Sequence, residues 1–140
     1  MTDILKLARI QICIIPLFVF FKMIRPTVLE GNAPEWVKIT LLSLPNFFEA
    51  VTGVLVLTGI GLYLNLRFLT KKRQIGNNLL YIMATIVSGI YVITQELKIH
   101  NLGGINVFDK NDIVFSLIGL IIGYLIVVSV KPKTYRKTEE

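Results

Sequence analysis

The eighteen residues from Ile113 to Val130 carry no charge, and Ser116 and Ser129 are their only serines. An α-helix of about 20 mostly apolar residues crosses a bilayer core roughly 30 Å thick. Inside that core every backbone polar group must bond internally, which leaves the helix or the closed barrel. This run has helical length and no alternation, so it predicts a membrane-spanning helix. The rest of the chain agrees. Hydrophobic residues make up 54 % and charged residues 17 %, and the mean hydropathy is +0.67. Soluble domains hold about 45–50 % apolar residues. A disordered chain and an ordinary soluble domain are both excluded. Four spans take about 80 residues, and what remains of the chain is too short for a catalytic domain outside the membrane.

The predicted fold is an all-α integral membrane protein, one four-helix transmembrane bundle with spans at about 5–24, 41–66, 77–95 and 113–130. The first span has the shortest apolar run, Ile10 to Phe21, with Lys6 and Lys22 placed to snorkel and Pro16 near its middle. Arg25 to Lys38 reads as a polar connection, with Trp36 at the membrane interface. Pro45 is expected in the first turn of the second span, with Ser43 or Asn46 as a cap. Arg67 to Gly76 is a tight basic turn holding Arg67, Lys71, Lys72 and Arg73.

Basic residues set the orientation. With the N-terminus inside, Lys6, Arg9, Arg67, Lys71, Lys72, Arg73 and the tail residues Lys131, Lys133, Arg136 and Lys137 lie on the cytoplasmic side. Lys22, Arg25, Lys38, Lys98 and Lys110 lie outside. Ten against five predicts both termini in the cytoplasm. The net charge of +6 then reflects topology, with membrane lipids as its partner. The basic groups form no single stripe, so no nucleic-acid partner is expected.

Cys13 is the only cysteine, which excludes an intramolecular disulfide. No small residues precede it as a lipoprotein site requires, and it reads as a buried, inert thiol. No Ala-x-Ala-like site follows the first apolar run, which reads as an uncleaved span.

Four carboxylates form the candidate outer-face polar site: Glu49, Glu96, Asp109 and Asp112. Glu49 lies one turn after Pro45, inside an apolar helix, where a carboxylate is costly unless paired, hydrated or protonated. It has two readings, a ligand or ion site at the bundle mouth, or an interfacial residue paired with Lys38, Lys98 or a backbone donor. Glu96 ends the third span at the same level. Asp109 and Asp112 precede the fourth span, where they serve as caps, as a polar recognition loop, or as both. One histidine, His100, excludes a histidine-rich metal site, and no metal or cofactor is expected. No catalytic residues are assigned. Gly119 and Gly123 form a GxxxG for close helix packing, within the bundle or against a partner or second copy.

The second half resembles the VanZ-like family of small bacterial membrane proteins. Tyr91-Val92-Ile93-Thr94-Gln95-Glu96 matches its Tyr-x-x-x-x-Glu at the outer end of the third helix. The stretch from Asn106 to Gly123 follows its Arg-x-x-Asp-x-x-Asp-Ile-x-x-Asn-x-x-Gly-x-x-x-Gly pattern. Asp109, Asp112, Ile113, Gly119 and Gly123 match, while Asn106 stands for the arginine and Ser116 for the asparagine. Pro45-Asn46 also matches, whereas Phe48-Glu49 and Thr52 stand where the family has Asp-Lys and His. The likeness covers about residues 41–130. It implies four membrane helices with both termini inside, and a link to the cell envelope. The family's named member is associated with resistance to the glycopeptide teicoplanin. Leu44-Pro45 through Glu49 to Gly53 is also similar to the second helix of DoxX-like four-helix proteins.

The expected function is that of an integral protein of the bacterial cytoplasmic membrane, binding or acting on a lipid, a cell-wall intermediate or a glycopeptide at the outer leaflet. The alternative is an accessory subunit of a larger membrane complex. An outer-leaflet enzyme or carrier ranks below both, because no catalytic motif is present.

Overall fold

The computed structural model describes residues 2–70, 72–97 and 110–132. Four helices account for nearly all of them: α1 (Thr2–Glu30), α2 (Glu35–Phe68), α3 (Asn77–Glu96) and α4 (Lys110–Val130). All four are long and apolar enough to cross a membrane. Their exposed surfaces carry large apolar side chains. Ile12, Phe20, Ile86, Ile90, Ile121 and Leu125 all face outward.

The longest helix, α2, is the hub. It packs on α1, α3 and α4, while no Cα of α1 comes within 8 Å of a Cα of α3. Its buried side chains, among them Val51, Val54, Leu55 and Leu62, meet Leu80 and Val92 of α3 and Leu120 and Val127 of α4. Leu7 is the one residue of α1 in this core.

In lipid, no hydrophobic force drives helices together, so close contact comes from small residues. Gly119 lies under Ala50 and the Phe47 carbonyl, and Gly123 under Val51 and Val54. The contacts advance together along both chains, so α2 and α4 run parallel. The GxxxG face is therefore spent inside the bundle. Ser88 fills the space above Gly53, and Leu80 that above Gly61.

The first two helices are longer than their predicted spans. Arg25–Lys38 is not a polar connection: α1 continues through Pro26 to Glu30, a short turn follows, and α2 begins at Glu35. Proline's fixed φ is compatible with a helix, and only the carbonyl four residues earlier loses a donor. Trp36 therefore sits in the first turn of α2, 70 % exposed. Pro45 is in the helix interior rather than its first turn, and neither Ser43 nor Asn46 caps it; Pro34 holds the N-cap position. The Pro34 carbonyl accepts from the amides of Val37 (3.0 Å) and Lys38 (3.3 Å). Cys13 is exposed rather than buried, because α1 touches the bundle along a narrow strip. The fourth helix starts at Lys110, which places Asp112 in its first turn, where a negative charge suits the helix dipole.

A side-chain clip closes the turn between α2 and α3. The Asn65 side chain donates to the Ile75 carbonyl and accepts from the Ile75 amide, both at 2.9 Å. At the same end of the bundle, the Tyr81 hydroxyl donates to the Pro132 carbonyl at 2.7 Å. Lys131, just past α4, has φ 45°, and its amide donates to Val127 at 2.9 Å. That is a left-handed helix stop without the usual glycine.

Candidate functional site: a cleft between α1 and α3

Because α1 and α3 flank α2 without meeting, a cleft of about 660 Å³ opens between them. Residues four apart share one helix face. On α2 that face carries Glu49, Thr52, Gly53, Val56 and Leu57, which form the floor with Phe48. Ile15 and Phe18 make the α1 wall, and Val87, Ser88 and Tyr91 the α3 wall. Most of this lining is apolar; the polar groups are Glu49, Thr52, Ser88 and Tyr91.

Phe48 anchors α1 at the Glu49 end. Its ring centroid lies 6.0 Å from both Phe18 and Phe21 and 5.2 Å from Phe47. Glu49 is half-buried beside this cluster, with no opposite charge or hydrogen-bond donor acting on it among the described residues. Lys38 lies eleven residues earlier, about 16 Å along the helix axis, so it does not pair with Glu49. Lys98 falls outside the described residues. Ser88 is 1 % exposed, and its Oγ has no hydrogen-bond partner.

Of the four predicted site carboxylates, three share one end of the bundle. Glu96 lies within electrostatic reach of Asp112 and of Glu49. Asp109 lies outside the described residues, as do His100 and Lys71. No group of three or more histidine, cysteine, aspartate or glutamate residues suited to a metal is found among the described residues. Glu49 lines the cleft, whereas Glu96 and Asp112 do not. Thr94, next to Glu96, spends its hydroxyl on the carbonyls of Ile90 (2.7 Å) and Tyr91 (2.9 Å).

An ionised carboxylate only accepts hydrogen bonds. Placed at one end of an apolar cleft, it selects a molecule with a donor or cation at its head and a hydrocarbon tail. Sequence reasoning found Glu49 but missed Ser88 and the cleft itself. Ser88 is one serine in an apolar helix, and only its register against Gly53 gives it a place.

Comparison with protein-family models, curated proteins and solved structures finds no match to this chain.

Proposed function

We propose that this chain binds a lipid or a lipid-linked envelope intermediate in the bacterial cytoplasmic membrane, entering sideways between α1 and α3. The observation that carries this reading is a cleft of about 660 Å³ between α1 and α3, with a carboxylate at one end that meets no opposite charge among the described residues. The basic-residue bias supports an orientation with both termini inside and the Glu49 end at the outer leaflet. The VanZ-like resemblance supports the envelope setting, since its matched Glu96 and Asp112 gather near Glu49. Glu49 receives the head group, Thr52 offers a further hydrogen bond, and the side chains of Phe18, Val56 and Val87 hold the tail.

A diazirine-bearing hexadecanol tests this. In reconstituted vesicles, photolysis is expected to label the peptides holding Thr52, Val56 and Tyr91 above those around Leu125. Glutamine keeps an acceptor oxygen but loses the charge, a difference of about 1 kcal/mol, so Glu49→Gln should weaken capture by about fivefold. Even labelling around all four helices, unchanged in Glu49→Gln, would sink the proposal.

A further inference from the structure

The cleft does not end at Leu57. A second cavity, of about 440 Å³, continues along α2 and α3 from Leu57 and Val87, the two residues it shares with the first. Its α2 residues Leu57, Ile60, Gly61, Leu64 and Phe68 extend the same helix face. Together the two cavities run from Glu49 to Phe68, nineteen helical steps or about 28 Å. That is the full thickness of the hydrocarbon core, where one leaflet supplies about 15 Å.

We infer that the occupant is a single-tailed lipid of polyisoprenoid type, longer than one leaflet, with a hydroxyl or ammonium head at Glu49. This rests on the amphiphile reading above and adds the length of the tail. Three observations favour one long tail. Among the described residues, Glu49 meets no opposite charge at one end of the groove, whereas the Asn65 amide at the far end is spent on Ile75. The two cavities adjoin along the same helices, with Leu57 and Val87 lining both. A transmembrane helix docks where small residues let backbones approach. Here Gly53 is already filled by Ser88 and Gly61 by Leu80, so the groove meets its occupant with side chains.

The test uses the full chain in nanodiscs with two neutral alcohols, farnesol and undecaprenol, measured by competition against the photoreactive hexadecanol. Farnesol reaches about as far as the first cavity, and undecaprenol exceeds both. Met83 and Ile60 line the second cavity and not the first, and are 47 % and 49 % exposed, so tryptophan at either position narrows the far part of the groove without entering the core. Met83→Trp and Ile60→Trp should each weaken undecaprenol by about tenfold and leave farnesol within about twofold. Tighter competition by long-chain ammonium probes than by alcohols of equal length assigns the head as cationic rather than hydroxylic. Equal undecaprenol binding by wild type and both variants overturns the long-tail inference while leaving the amphiphile site standing. Failure of farnesol as well as undecaprenol to compete overturns the site itself. Disulfide cross-linking between two copies at Ile60→Cys and Val87→Cys would show a helix in the groove, and also overturns the inference.

Discussion

Alanine at Gly119 offers the sharpest test of how α4 is held. An added Cβ would meet the Phe47 carbonyl oxygen and lie 2.9 Å from the Ala50 Cβ. The first obstacle is backbone, so α4 must back away from α2 by about half an ångström. Overpacking of this kind costs typically 1–3 kcal/mol, and a rigid neighbour argues for the upper end. Alanine returns about 1 kcal/mol of helix propensity over glycine. The net loss is about 2 kcal/mol, close to thirtyfold in the folding equilibrium. Gly59 is the matched control, with nothing within 4 Å of its added Cβ. Gly59→Ala keeps the propensity gain and meets no obstacle, so it should be neutral or slightly stabilising. Unfolding by dodecyl sulfate in mixed micelles, followed by circular dichroism, measures both. Ala50→Gly should rescue part of the Gly119→Ala loss, because it removes one of the two obstacles. Equal stability of Gly119→Ala and Gly59→Ala, or no rescue, would refute the close α2–α4 contact.

The same unfolding assay checks four further expectations. Asn65→Ala leaves both the amide and the carbonyl of Ile75 unpaired and should cost about 2 kcal/mol. Tyr81→Phe removes the hydrogen bond to Pro132 and should cost about 1 kcal/mol. Lys131→Gly relieves a left-handed backbone and should stabilise by about 1 kcal/mol. Cys13→Ser, on an exposed face of α1, should stay within about 0.5 kcal/mol of wild type. A larger loss would place the thiol in a packed interface.

Much of the architecture was legible because a bilayer imposes long apolar runs. Ile113–Val130 and Asn77–Gln95 show their helices directly. The C-terminal end of α1 and the N-terminal end of α2 were not legible, because Arg25–Lys38 mixes prolines, glycine and charges in the way a loop does. Helix hydrogen bonding there tolerates Pro26 and starts at Glu35, which composition does not report. Glu49 stood out as a carboxylate in an apolar helix. Its cleft did not, because that depends on which helices fail to touch. No local pattern encodes the gap between α1 and α3. Cys13 failed for a related reason: buriedness in a membrane bundle follows contact with neighbours, and α1 has few.

On the proposed reading, the gap between α1 and α3 also decides what sets occupancy. A ligand arriving through it never leaves the bilayer, so its aqueous concentration is irrelevant to binding. The governing quantity is its mole fraction among the surrounding lipids. Diluting the buffer would leave such a site full. Adding inert lipid at constant protein would empty it, and a cell that changed its membrane composition would retune the protein without altering its abundance.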